Sequence, residues 1–155
     1  MIDRIKHMLF AGGKKGEAQR EEAALELAAA ALLVEAAVLD GHFDDAERAT
    51  IERLLKDHYK LSEADARSLL KDAEDAISDS NELYTFTRTI KEHMPIEERV
   101  AILEMLWEVA LADGEVHAYE SNLVRRLAGL LYVSDRDSGE ARKRVLARLG
   151  IESAQ

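Results

Sequence analysis

The chain has 155 residues and no cysteine, which excludes disulfides, thiolate catalysis and cysteine-based zinc sites. Its 21 basic and 31 acidic side chains leave a formal charge of -10, which speaks against bulk binding of nucleic acid or of anionic membrane surfaces. With 47% hydrophobic residues, 5% aromatics, 8 glycines and 1 proline, the composition is that of a single globular domain leaning strongly to helix.

Residues 1–19 read as a short amphipathic N-terminal helix and a linker, Gly12-Gly13-Lys14-Lys15-Gly16. The first ten residues lack the apolar core and cleavage site of a secretory leader. The longest apolar stretch, Ala23 to Leu39, carries Glu26 and Glu35 and falls short of a membrane span, so the expected location is cytoplasmic. Residues 20–150 form the main helical domain. Its first helix is expected from about Arg20 to Leu39 and its second from Asp45 to Tyr59. Ser62, with Asp65 three residues on, marks the N-terminus of a third helix that reaches about Ile77. Asp79-Ser80-Asn81 breaks the chain before a helix over about Glu82 to His93. Pro95 suits the first turn of the next, which ends near Ala112. A further helix is expected over Ala118 to Val133. The turn cluster Ser134 to Gly139 precedes a last helix that stops at Gly150, a natural residue for a left-handed helix end. Period-two alternation is absent, so the fold class is all-α, a bundle of about seven helices.

A shift of 73 residues places Glu35–Tyr59 on Glu108–Tyr132, with eight of 25 positions identical, including Glu35/Glu108, Asp40/Asp113, Gly41/Gly114 and Glu47/Glu120. The bundle is therefore expected to be built from two pseudo-repeated helical hairpins. The expected core includes Leu32, Leu39, Ile51, Leu54, Leu103, Trp107, Leu111, Val124 and Leu127.

Each copy reads Glu-x4-Asp-Gly-x5-Glu. Glu35 lies on one helical stripe with Leu32 and Leu39, and Glu108 sits among Met105, Leu106, Trp107, Val109 and Leu111. A carboxylate in an apolar helix is costly unless it is paired, protonated or bound to a cation. The Asp-Gly pairs also have an ordinary role as helix ends, and Glu47 can complete a capping box with Asp44. If the hairpins pack face to face, six carboxylates, Glu35, Asp40, Glu47, Glu108, Asp113 and Glu120, can share one metal-binding cleft. Such oxygen ligands suit a divalent metal ion, Ca²⁺, Mg²⁺ or Mn²⁺, and the nearby His42 and His117 widen the choice to Zn²⁺.

The spacing is not that of an EF-hand, whose glycine and final glutamate fall at positions six and twelve. Phosphate loops, Gly-x-Ser-x-Gly and His-Glu-x-x-His are missing as well. His58 and His93 read as surface or boundary residues. Trp107, Phe86, Tyr84, Tyr59 and Tyr132 read as core or core-edge aromatics. Arg142, Lys143, Arg144 and Arg148 read as a solvated face of the terminal helix.

The segments Leu33–Gly41 with Glu47 and Trp107–Gly114 with Glu120 resemble the signature of the TerB-like family. That family includes the tellurite resistance protein TerB and the domain attached to the DnaJ-type co-chaperone DjlA. The resemblance covers about Glu21 to Gly150. It implies an all-helical pseudo-repeat, metal chelation by Glu35, Asp40, Glu47, Glu108, Asp113 and Glu120, and a part in tellurite resistance and stress response. The His-Pro-Asp loop of a J-domain is absent, so co-chaperone activity is not implied. His117 replaces the second copy's counterpart of Asp44, which makes the two half-sites chemically unequal.

Two functions are thus expected of different kinds: a metal-binding stress protein, or a metal-independent adaptor whose acidic face docks a basic protein. A place at the periphery of membrane-associated complexes is compatible with either, without a membrane segment. A metal-dependent hydrolase lacks an identifiable nucleophile.

Overall fold

Among the residues that the computed structural model describes, 13–39, 43–78, 83–112 and 118–151, there are seven α-helices and no strand. They are α1 (Gly13–Leu39), α2 (Asp45–Tyr59), α3 (Glu63–Ser78), α4 (Leu83–His93), α5 (Ile96–Ala110), α6 (Ala118–Leu130) and α7 (Asp135–Leu149). The all-α expectation holds. Within these residues no helix is long and apolar enough to cross a membrane.

Two helices form the centre. In α1, every residue from Ala28 to Val34 is buried, so apolar side chains face neighbours on all sides. In α5, Ile102, Leu103 and the run Met105 to Ala110 are buried. The outer helices cover these two: α1 packs chiefly on α3 and α4, and α5 chiefly on α7 and α6. Ala28 to Ala31 carry small side chains, which permits close approach of the flanking helices. Of the expected core, Leu32, Ile51, Leu54, Leu103, Trp107, Leu111, Val124 and Leu127 are buried. Removing a leucine of this kind from water contributes about 1.5–3 kcal/mol. The side chain of Leu39 lies outside the described residues.

The helix ends follow local chemistry. Asp44 caps α2 by accepting the Glu47 amide at 2.9 Å. Ser62 and Ser134 cap α3 and α7 by accepting the amides of Asp65 and Asp137, each at 3.1 Å. Gly150 ends α7 with φ 71°, and the Ile151 amide donates to Leu146 O at 2.9 Å. Three boundaries differ from expectation. The helix α1 begins at Gly13, inside the glycine and lysine segment, and Gly16 and Ala23 are buried on it. Packing of that face outweighs the poor helix propensity of glycine. The turn cluster after Ser134 is the first turn of α7, where Asp135 and Asp137 complement the positive end of the helix dipole. The helix α6 stops at Leu130 rather than Val133, because Tyr132 turns left-handed. The short helix expected in residues 1–12 lies outside the described residues, as does the break at Asp79-Ser80-Asn81.

The internal repeat extends beyond a hairpin. Buried Ile51, Leu54 and Leu55 of α2 match buried Val124, Leu127 and Ala128 of α6 at a shift of 73. Beyond the left-handed residues Lys60 and Tyr132 the shift becomes 72: Ser62 matches Ser134, Ala66 matches Ser138, Leu69 matches Ala141 and Ala73 matches Val145. Each unit is thus three helices, α1–α2–α3 and α5–α6–α7, with α4 joining them. The second unit is one residue shorter at the end of its middle helix.

Candidate metal centre

Of the six carboxylates singled out by the sequence, Asp40, Asp113 and the side chain of Glu120 lie outside the described residues, as do His42 and His117. Glu35, Glu47 and Glu108 are described, and they stand in three different environments.

Glu35 lies in the penultimate turn of α1 with buried Val34, Ala36 and Ala37 beside it. It is half-buried, and among the described residues it makes no ion pair. Removal of water from around it raises its carboxyl pKa above the ordinary glutamate range. Glu47 is in the first turn of α2, half-buried, three residues after the N-cap. The start of α2 is fastened from two sides. Arg48 grips both carboxylate oxygens of Glu74 in α3, and its guanidinium carbon lies 5.9 Å from the centre of the Phe43 ring. The Arg48 amide also donates to Asp44 O at 2.9 Å.

Glu108 is buried, and its neutralising charge comes from within the chain. Nε of Arg148 in α7 stands 3.6 Å from its Oε1. Arg148 also reaches Glu104 Oε1 at 3.2 Å, and Arg144 reaches Glu104 Oε2 at 3.0 Å. The face expected to be solvated is exposed at Lys143, Arg144 and Arg148, and its arginines also reach the neighbouring helix: Arg144 and Arg148 pair with α5 carboxylates, and Arg142 lies over the Trp107 ring at 5.7 Å. The signal for this was present in the sequence as two four-residue spacings, Glu104/Glu108 and Arg144/Arg148, each of which puts like charges on one helical stripe. A groove of about 370 Å³ between α2, α5 and α7 opens onto Glu108, Glu104, Arg148, Arg53, Asp57 and His58.

His58 is not an idle boundary residue. Its Nε2 lies 2.8 Å from Glu98 Oε2, linking α2 to α5, and its ring meets Tyr59 edge-on at 4.7 Å. Tyr132 departs from the expected core-edge position: it is 68% exposed, and Lys91 Nζ lies 4.4 Å from its ring centre.

Among the described residues no three histidine, aspartate or glutamate side chains come together as a metal-holding group. As to fit, the first repeat presents a half-buried carboxylate that lacks a cationic partner among those residues, which suits a hard cation. In the second repeat Glu108 already faces a guanidinium, so it does not fit that role.

A family model described as "Tellurite resistance protein TerB" matches residues 26–143. Comparison with curated proteins gives no match, and neither does comparison with solved structures. The match spans most of the chain, from the middle of α1 into α7, and the chain belongs to the TerB family.

Proposed function

We propose that this TerB-family chain binds a hard divalent cation through the carboxylates of the first copy of its repeated motif, with Glu35 as the anchoring ligand and Asp40 and Glu47 following it in the sequence. The observation that carries the reading is Glu35 itself: a carboxylate half-buried on an apolar helix, without an ion pair among the described residues, and disfavoured in its charged form by burial. A cation of the Ca²⁺, Mg²⁺ or Mn²⁺ type relieves that cost with oxygen ligands alone. Bound, it supplies positive charge that holds the end of α1 to the start of α2. In this reading the protein acts in the cytoplasm, in tellurite resistance or a wider stress response, with the cation fixing the shape that a protein partner recognises.

The test is a set of melting curves in Ca²⁺, Mg²⁺, Mn²⁺ and Zn²⁺, with K⁺ at matched ionic strength. A ligand bound only to the folded state adds about 2.7 kcal/mol at a hundredfold excess over Kd. That corresponds to a rise in Tm of several degrees, since each 1 kcal/mol shifts a domain of this size by about 2–4 °C. Glu35→Gln removes the rise and leaves the metal-free protein folded. An equal response to all cations, unchanged in Glu35→Gln, sinks the reading.

A second reading, a metal-independent adaptor, is favoured by one observation. An open groove of about 390 Å³ between α4 and α6 is lined by Arg88, Lys91, Leu130 and the exposed Tyr132. Its chemistry is basic and aromatic, so its partner would be acidic rather than basic. Retained binding of a partner in Glu35→Gln and in chelator selects this reading.

A further inference from the structure

We infer that Arg148 is a built-in counter-ion that occupies the second repeat in place of an external cation, so that this chain carries one cation site and not a symmetric pair. The number of sites rests on the function proposed above; the role of Arg148 does not.

The two three-helix units correspond residue by residue at the shifts of 73 and 72. Glu35 and Glu108 are equivalent residues of the two central helices, and both stand among buried apolar neighbours. A buried carboxylate must be protonated, paired or bound to a cation. In the second unit the pairing is visible: Arg148 Nε is 3.6 Å from Glu108 Oε1, and the Glu108 side chain is only 10% exposed. At the shift of 72 that relates α3 to α7, the counterpart of Arg148 is Ala76, and the counterpart of Arg144 is Asp72. The first unit thus has a methyl group and a buried carboxylate where the second has two guanidinium groups. The central helices complete the exchange. Glu104, which both arginines share, has Ala31 as its counterpart at the shift of 73.

The second unit therefore carries two arginines and a glutamate that balance one another and Glu108 across α5 and α7. The first unit has none of the three. Arg148 is also well placed to keep other cations out. Its guanidinium is fixed on two carboxylates at once, one of them buried, and a metal ion has to displace it and leave a positive charge close by. The groove beside Glu108 gives small ions access, so the exclusion is electrostatic rather than steric.

The experiment uses the full chain. Calorimetric titration with Mn²⁺ and with Ca²⁺ gives the number of ions bound by the wild type, Glu35→Gln and Glu108→Gln. In parallel, a denaturation cycle in chelator compares wild type, Glu108→Gln, Arg148→Gln and the double variant. The expected titration shows one ion per chain, an affinity within about twofold of wild type in Glu108→Gln, and a loss of about tenfold or more in Glu35→Gln. The expected cycle shows favourable coupling between positions 108 and 148, and Arg148→Lys keeps part of it. Two ions per chain, with one lost in Glu108→Gln, overturn the inference, and so does a cycle with no coupling. A wild type that binds neither cation refutes the proposed function only. The coupling alone then decides whether Arg148 is the counter-ion, and an ion gained by Arg148→Gln supports it.

Discussion

Lys60 and Tyr132 hold the same left-handed backbone, φ 54° and φ 56°, at the same place in the two halves of the molecule. Each is followed by an amide that reaches back across the helix end, Leu61 to Lys56 O at 3.0 Å and Val133 to Ala128 O at 2.9 Å. Each then gives way to a serine that caps the next helix. Neither residue is the glycine that this conformation favours, so the turn is held by its bonds and by the packing of the helices it joins.

Glycine should relieve that strain. A left-handed non-glycine residue costs on the order of 1–3 kcal/mol, against about 0.5–1 kcal/mol for the extra freedom of glycine in the unfolded chain. Lys60→Gly is expected to raise stability by about 1 kcal/mol in urea denaturation. Tyr132→Gly should gain less, because it gives up the Lys91 contact on the ring.

The Glu35 carboxyl should give the metal-free protein a signature in acid. Its pKa in the folded state is raised by burial, so the stability it contributes is fully present below the ordinary glutamate value and is lost as pH rises through the folded value. At neutral pH in chelator, Glu35→Gln should therefore melt slightly above wild type. The gap should close as the pH falls through the carboxylate range. Parallel melting curves from pH 3 to pH 7, taken as about the range of interest, check the sign.

Tyr59 offers a control outside the carboxylate motif. Its hydroxyl is buried and accepts or donates no hydrogen bond among the described residues. Burial first, then the charges of Glu98 and Glu26, push its pKa well above the ordinary tyrosine value. Tyr59→Phe should thus be neutral or stabilising by up to about 1 kcal/mol. In a spectrophotometric titration, one of the 4 tyrosines should stay silent above about pH 10 until the protein unfolds. The stability tied to the neutral phenol is present below the ordinary pKa and lost as the pH climbs, a loss that Tyr59→Phe removes.

The grip of Arg48 on Glu74 joins α2 to α3 with two charge-assisted bonds, and both side chains are partly shielded. Arg48→Ala should lower stability by about 1–2 kcal/mol, more than a solvent-exposed pair such as Arg53 with Asp57 contributes. Salt should weaken the second effect before the first.

Much of this architecture was legible in the chain itself. The bounds of α2 follow from Asp44 and Tyr59, and the caps at Ser62 and Gly150 are local chemistry that a sequence displays openly. The start of α1 was not legible, since glycine and lysine argue against a helix until Gly16 and Ala23 find a surface to pack on. Ser134 to Gly139 has the composition of a turn, and only the bond from the Asp137 amide to Ser134 shows it to be a helix start. At the candidate site, the apolar surroundings of Glu108 could be read from spacing alone. Its arginine could not, because the pairing of α5 with α7 depends on how the second unit closes. The one-residue shortening at the end of α6 moves every later residue to a new register, so the single shift of 73 relates the two copies only as far as Tyr132.

Arg99, in the first turn of α5, donates to three carbonyls: Met94 O at 3.2 Å, Leu131 O at 2.9 Å and Tyr132 O at 3.1 Å. Helix termini ordinarily fray one at a time, because each surrenders only its own last bonds. Here the close of α4, the opening of α5 and the exit from α6 share a single side chain. None of the three can loosen without stripping a charged group of acceptors that the other two still need. The joint where these three helix ends meet thereby gains a common threshold for opening, and the ends are expected to loosen together rather than singly.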